Sequence, residues 1–550
     1  MRLTKLNLVM AGLTAIPVFS TLFAQKQQKP NVLFIALDDL KPILGCYGDK
    51  LVKTPNIDRL ANRGTVFMSN YCQQAVSGGS RSSLLTGMRP DYTQIWDCDT
   101  QIRDVHPDIV TLPQYFKING YETSGIGKIF HEKSVKDSDP ASWSIPYLSP
   151  VDKFSKKTGQ PTLYYYHDLI TKAKIEKFIQ EGLAKGMTKN EAGQYAKVNA
   201  KVATECADVP DDAYRDGAVA LKAKDEFIAL KNGQKPFFMA VGFQRPHLPF
   251  VSPKKYWDLY QRNQMPLAEF QQHAKNSPDV AYTRSDEFKR FTDIPQFCEF
   301  TDLTHGTGLK DVNKQKELIH GYYAAVSYAD AQVGILLNTL DSLGISNNTV
   351  IVLWGDHGWH LGDHDQWGKD TNFEESTRAP LIISAPNLPS GKTKSITEFV
   401  DIFPTLCELA TIPTPKKLDG KSLVPLMKNK NAKLKDFGVS QYYRIIEEAD
   451  AKKRGFTTTD VMGYTLRTER YRFTIWMANG FRTNEPFTES KVYATELYDY
   501  PKDPFETVNV LNEPEYKSVA KEMKINMLTY FKSQEKIGVY QKKVKLVYEL

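Results

Sequence analysis

Short apolar runs rich in Val, Ile and Phe recur along the chain between segments of helical periodicity. The clearest are NVLFIAL (31–37), ETSGIG (122–127), PFFMAVGF (236–243), TVIVLWG (349–355) and APLIISA (379–385). The helical segments include TPNIDRLANRG, TLPQYFKING and ELIHGYYAAVSYADAQVGILLNTLDSLG. Runs this short, apolar throughout and separated by helices, read as strands buried on both faces. The alternation predicts an α/β fold: a large, mostly parallel sheet sandwiched by helices. Around 416–437 the pattern dissolves into a Lys- and Asn-rich connection. Beyond it, MGYTLRTERYRFTIWM and ATELYDYPKDP read as antiparallel strands and 513–531 as a helix packed on them. The expected organisation is a large domain over 25–430 and a smaller C-terminal α+β domain with an antiparallel sheet over 431–550.

The first residues have a basic start (Arg2, Lys5), an apolar run from Leu6 and a small residue, Ala24, before a polar spacer. This is the pattern of an export signal over 1–24, so the expectation is a periplasmic or secreted protein. No other run approaches the length of a membrane span. Losing Arg2 and Lys5 with the signal lowers the formal charge from +7 to +5, a mild excess spread along the chain. No Lys/Arg cluster resembles a nucleic-acid arm. The six cysteines lie far apart, without CxxC or zinc-ligand spacing; one or two disulfides fit an exported chain, a disulfide framework does not.

In parallel sheets, functional groups gather beyond the carboxyl ends of the strands, because those loops share one edge. Here Asp38 and Asp39 follow the first run, Lys128 and His131 the second, Arg245 and His247 the third, Asp356 and His357 the fourth. An acidic pair alone can cap a helix or sit in solvent. Two such pairs in the same strand context point to a divalent cation, and mostly oxygen ligands favour calcium or magnesium over zinc. His131 lies three residues from Lys128, and His247 lies between two prolines that stiffen its loop; both are acid–base candidates. His360 and His364, in GDHGWHLGDHDQWGK, are assigned to loop shaping or substrate contact. Lys128 and Lys369, beside the acids and imidazoles, make with a cation a site for a multiply charged tetrahedral oxyanion. That narrows the chemistry to sulfuryl or phosphoryl transfer. In SGGSRSSLLTG a loop feeds a helix, placing Ser77 at a helix start and Arg81 one turn along. On its own the segment reads as a Ser-rich helix terminus; the other clusters make Ser77 the nucleophile candidate.

These residues, in this order and spacing, resemble the formylglycine-dependent type I sulfatases of the alkaline phosphatase superfamily. The resemblance runs from NVLFIALDDLKP through TPNIDRLANRGTVFMSNYCQQAVSGGSRSSLLTGMRPD, GKIFH, RPHLPF and DHGWHLGDHDQWGK to MGYTLRTERYRFTIW. Within the family it is most similar to iduronate-2-sulfatase-like 2-O-sulfatases of glycosaminoglycans. The resemblance implies one calcium ion bound by Asp38, Asp39, Asp356, His357 and the group at position 77. It implies that Ser77 is matured to formylglycine, whose hydrate is the nucleophile, with Arg81 and His131 holding the hydrate. Lys128 would bridge hydrate and sulfate, while Lys369 and His247 would bind the sulfate near the leaving oxygen. Because position 77 is serine rather than cysteine, a radical anaerobic maturase is the implied partner; Gly79 stands where the family carries proline. The expected activity is exo removal of a 2-O-sulfate from a terminal uronic acid of heparin, heparan or chondroitin fragments. Arg245 and Arg467 are candidates to grip the carboxylate. The competing readings are a phosphomonoesterase or phosphodiesterase using unmodified Ser77, and an inactive glycan-binding relative.

Overall fold

Buried runs pair side by side into a seven-stranded sheet of β1 (Asn31–Asp38), β2 (Thr65–Tyr71), β3 (Glu122–Gly127), β4 (Phe237–Pro246), β5 (Thr349–Gly355), β6 (Leu381–Ser384) and β7 (Gly391–Glu398), in the order β7, β2, β6, β5, β1, β4, β3. This computed structural model describes residues 29–148, 166–283, 285, 287–294, 309–478, 481 and 488–537. The leader expected at 1–24 and Cys298 lie outside the described residues. β1 is central, parallel to β4 on one side and to β5 on the other. Its alternate residues feed two cores. Leu33, Ile35 and Leu37 pack with α1 (Pro55–Asn62), α4 (Arg215–Lys231) and α5 (Val312–Ser342). Val32, Phe34 and Ala36 pack with α2 (Ser77–Thr86), α3 (Leu112–Ile118) and α6 (Ile402–Leu409). The period-two side-chain alternation of a strand thus produces the helix–sheet–helix sandwich expected from the sequence.

A second, antiparallel sheet of β8 (Gly438–Ile445), β9 (Asp460–Arg467), β10 (Tyr471–Met477) and β11 (Val492–Asp499) carries α7 (Lys517–Ile537). Met523, Met527, Tyr530 and Phe531 of α7 pack on Met462, Tyr464, Leu466, Phe473 and Ile475. The sheet docks on the segment entering α2. Gln441 N–H donates to the Gln73 carbonyl at 2.8 Å, and Glu398, ending β7, takes Arg89 at 2.8 Å and Lys435 at 2.7 Å.

Several elements differ from expectation. The run at 379–385 forms a strand antiparallel to β5 and β2. β2, β7 and β8 were not anticipated; β7 (GKTKSITE) is a half-polar edge strand, so it carries no apolar run to mark it. The helix expected at 513–531 spans Lys517–Ile537. β4 runs on to Pro246, placing Arg245 within a buried strand rather than in a loop. The five described cysteines are free. No described helix is long and apolar enough to cross a membrane.

Candidate active site

Parallel pairing puts the carboxyl ends of β1, β4 and β5 side by side, and the site begins there. Asp38 ends β1 at a register shift opposite Pro246. Asp39 turns the chain with φ +57°, a left-handed conformation that aspartate tolerates better than most residues. Its N–H donates to Asp356 Oδ1 at 2.9 Å, and its carbonyl accepts from Tyr322 of α5 at 2.7 Å. Asp356, next after β5, returns its own N–H to the Leu37 carbonyl at 3.2 Å. Asp38, Asp39, Asp356 and His357 are all wholly buried. Asp39, Asp356 and His357 form one group with metal-ligand spacing, and Asp38, Asp39 and His247 form another. Asp39 Oδ2 is buried without a hydrogen-bond partner, and burial pushes this carboxyl well above its ordinary pKa although Lys369 opposes the shift. A buried acid with an orphaned oxygen, beside two further carboxylates, fits a hard divalent cation.

Ser77 is the first residue of α2 and is 2% exposed. Its Oγ lies 3.3 Å from both Asp38 Oδ1 and His357 Nε2. The helix start can approach so closely because residue 78 is glycine: a Cβ there would lie 2.0 Å from the Asp97 carbonyl. One turn on, Arg81 spans the floor, with Nε to Asp356 Oδ2 and Nη2 to Asp38 Oδ1 at 2.9 Å each. Its Nη1 donates to the carbonyls of Lys128 and Ile129 at 2.7 and 3.0 Å. Burial alone would raise the Asp38 pKa; Lys128, His247 and Arg81 outweigh it and hold Asp38 well below the carboxylate range.

The remaining groups line the wall and mouth. Lys128 donates to Asp38 Oδ2. Its backbone passes against Gly242, where a Cβ would meet the Lys128 carbonyl at 2.0 Å. Lys369 donates to Asp39 Oδ1 at 2.7 Å and lies 3.3 Å from Glu287. Burial works against the Lys369 charge, but Asp39 and Glu287 more than offset it. His247 Nε2 is 3.2 Å from Glu287 Oε1 and 3.7 Å from Asp39 Oδ2, while Nδ1 meets the Leu248 carbonyl at 2.6 Å. Burial pushes its pKa down to about 3, with Glu287 opposing. His131 lies within the electrostatic reach of Lys128, Asp38 and Arg81; burial and Lys128 lower its pKa to about 4, and its buried Nδ1 has no partner. His131, His247 and Glu287 are partly exposed above a buried floor, so the opening is lined by acid–base groups.

The structure commits both carboxylate-gripping candidates to partners within the protein. Arg245, 3% exposed, takes Asp216 through its backbone N–H at 2.7 Å and donates from Nη1 to the His247 carbonyl, supporting that loop from within. Arg467 holds Glu374 at 2.9 Å and stacks 3.7 Å from the Tyr500 ring. Turning to a substrate would leave the Glu374 carboxylate unpaired in the case of Arg467 and the His247 carbonyl in the case of Arg245. His360 bonds Thr371 at 3.0 Å and His364 stacks on Phe373 at 4.2 Å; neither belongs to a metal-spaced group among the described residues. Glu287 escaped sequence reasoning because TRSDEFKRF looks like any solvated charged turn. We expect Glu287→Ala to lower the turnover rate about tenfold to hundredfold, with Glu287→Gln, which keeps an acceptor for Lys369, losing less; inorganic sulfate release measures both.

The comparisons with known proteins agree with this chemistry. The sulfatase family profile matches residues 30–412, and the profile described as N-sulphoglucosamine sulphohydrolase, C-terminal, matches 362–533. The chain is 33% identical to iduronate 2-sulfatase of Mus musculus over 540 residues, covering 88% of this chain and 91% of that protein. It is 32% identical to a sulfatase of Formosa agariphila over 507 residues, covering 90% and 86%. A solved structure in complex with D-glucosamine-2-N,6-O-disulfate superposes with TM-score 0.65 at 22% identity, covering 94% of this chain and all of that one. The phosphonate monoester hydrolase of Agrobacterium radiobacter superposes equally well at 20% identity, covering 92% and 96%. A protein bound to a sulfated sugar substrate and a phosphonate monoester hydrolase thus share the fold, so shape alone leaves the anion open. The family match over most of the chain decides it: this protein belongs to the sulfatase family and is a sulfatase.

Proposed function

We propose that this sulfatase removes the 2-O-sulfate from a terminal uronic acid of a glycosaminoglycan fragment, using Ser77 matured to formylglycine. The observation that carries the nucleophile assignment is the placement of Ser77 Oγ at 3.3 Å from Asp38 and His357, within the cluster that holds Lys128 and Lys369. The uronate assignment is supported by the match to iduronate 2-sulfatases over 88% of the chain. Asp38, Asp39, Asp356 and His357 are the residues that would hold calcium. When bound, the ion supplies Lewis acidity toward the oxygen at position 77 and offsets the buried carboxylates.

Oxidation of Ser77 removes two hydrogens, and hydration of the aldehyde gives a geminal diol. One hydroxyl gives up its proton to the adjacent Asp38 carboxylate and attacks sulfur; the bond from sulfur to the sugar oxygen breaks, and that oxygen leaves with the electron pair. His247 stands to protonate it, with Lys369 the alternative donor. Both ring nitrogens of His247 face acceptors, Glu287 and the Leu248 carbonyl, so donation requires the imidazolium; burial disfavours that form in the empty site, and an arriving sulfate anion beside Glu287 would favour it. The second hydroxyl then passes its proton to His131, which burial keeps neutral near pH 7 and whose Nδ1 is unpaired. Re-forming the aldehyde breaks the carbon–oxygen bond and releases sulfate. An ordinary serine would instead need water to attack sulfur. Lys128 and Lys369 hold the sulfate oxygens while charge moves, at little reorganisation cost because both are already fixed.

Mass spectrometry of the Tyr71–Arg89 peptide, from protein made in an anaerobic host with a radical maturase, tests the nucleophile. The expected mass is two hydrogens below the serine form; a fully active enzyme with the unmodified peptide would refute the formylglycine mechanism.

A further inference from the structure

Two of the arginines nearest in sequence to the site motifs are committed elsewhere; a third is held ready at the mouth. Arg444, near the end of β8, donates from Nη2 to the Asp370 carbonyl at 2.5 Å, from Nε to the Tyr282 carbonyl at 2.9 Å and from Nη1 to the Tyr443 carbonyl at 2.9 Å. Asp370 directly follows Lys369, and Tyr282 begins the stretch that leads to Glu287. Lys369 and Glu287 themselves meet at 3.3 Å. The guanidinium therefore bridges the two segments that deliver side chains to the opening, and the residue is partly exposed. Its plane is fixed by rings: the Tyr442 centroid lies 4.8 Å away and that of Trp476 5.9 Å.

Among the described residues Arg444 forms no salt bridge, although Asp370 and Glu496 are Coulombic neighbours. Arg81, Arg89, Arg467 and Arg470 each hold a carboxylate at 2.8–2.9 Å. Among the described residues Arg444 has none within 4.0 Å. The Asp370 carboxyl is a Coulombic neighbour, but its hydrogen bond is with Tyr442. The three backbone carbonyls occupy three of the five N–H groups, leaving two donors on a planar cation held in one orientation. Burial presses the Arg444 pKa down, a cost that an arriving anion would relieve. Such a group suits a carboxylate, which accepts from a guanidinium fork more specifically than from an ammonium.

We propose that Arg444 is the specificity residue that binds the carboxylate of the sulfated sugar. The proposal rests on the uronate reading above and assigns it to a residue. Sulfate is held by Lys128 and Lys369; the second anion of the same sugar is held by Arg444, beside Lys369. A substrate without that second anion leaves the guanidinium unpaired and is rejected.

The test compares kcat/KM on two disaccharides, each with a 2-O-sulfated terminal sugar: one a uronic acid, the other the same sugar with its carboxyl reduced to a primary alcohol. Matured wild-type enzyme is expected to prefer the uronate by about a hundredfold. Arg444→Gln is expected to bring that ratio within about threefold of unity, with most of the loss in KM for the uronate. Arg444→Lys, which keeps the charge and most of the packing, is expected to give an intermediate ratio and serves if the glutamine variant does not fold. Equal losses on both substrates would mean that Arg444 only staples the two segments, and would overturn the proposal, as would an unchanged ratio. A wild-type enzyme that releases sulfate from other sulfated sugars but treats these two alike refutes the uronate reading itself, and the Arg444 assignment with it.

Discussion

Ser77→Ala is expected to lower sulfate release by about 10⁴-fold or more while the protein stays folded. The size follows from removing a nucleophile around which every other group is arranged; residual rate then comes only from the binding and charge-stabilising groups. The fold should tolerate the change, because among the described residues the lost hydroxyl makes two long contacts, 3.3 Å to Asp38 and 3.3 Å to His357. Its removal costs about 1 kcal/mol or less. Ion chromatography of released sulfate and a thermal melt of the same sample provide the two readouts. Retention of more than about 1% of the wild-type rate would show that another group attacks sulfur. An inactive glycan-binding relative would bind oligosaccharide equally before and after the change and release no sulfate in either state.

Withdrawing divalent cations is expected to have the second largest effect: loss of about 10³-fold or more in rate and a lower unfolding temperature, both restored by calcium. Asp38, Asp39 and Asp356 are wholly buried within a few ångströms of one another. Two like charges 4 Å apart repel by about 4 kcal/mol at the effective dielectric of a partly hydrated site. Arg81, Lys128 and Lys369 offset much of this, yet Asp39 keeps an unpaired oxygen and a raised pKa. The sign of the pH effect follows. In metal-free protein the raised Asp39 contributes stability below its unfolded pKa and loses it as pH rises through the folded value. A cation competes with that proton, so stabilisation by the ion should grow as pH rises from acidic to neutral. At a concentration 100 times Kd the ion adds about 2.7 kcal/mol. Calorimetry with and without chelator checks this; an unchanged melt and full rate after exhaustive chelation would remove the metal from the account.

Local pattern made much of the fold legible. β3 and β5 lie where their apolar runs ended, and the long helix at Val312–Ser342 matches its periodic segment. β7 stayed hidden because an edge strand needs no buried face, and β2 because TVFMSNY mixes apolar and polar residues without a clean period. The acids and imidazoles of the site were legible for a related reason: a charged residue directly after a fully buried strand has only the sheet edge to occupy. Glu287 gave no such signal, since it sits in an irregular turn.

The arginines show where sequence reading stops. Arg81, Arg245, Arg444 and Arg467 are the same chemical group, and nothing within a few residues of each says which is neutralised. Local pattern specified the apolar strands of the sheet and the residue types that follow them, because hydrophobic burial acts through periodicities of two and 3.6 residues. Only the tertiary structure decided the pairing. Arg81 meets Asp356 across 275 residues and Arg467 meets Glu374 across 93, whereas among the described residues Arg444 hydrogen-bonds backbone carbonyls and no carboxylate. Charge compensation depends on distance in space, and chain separations of that length leave no local trace.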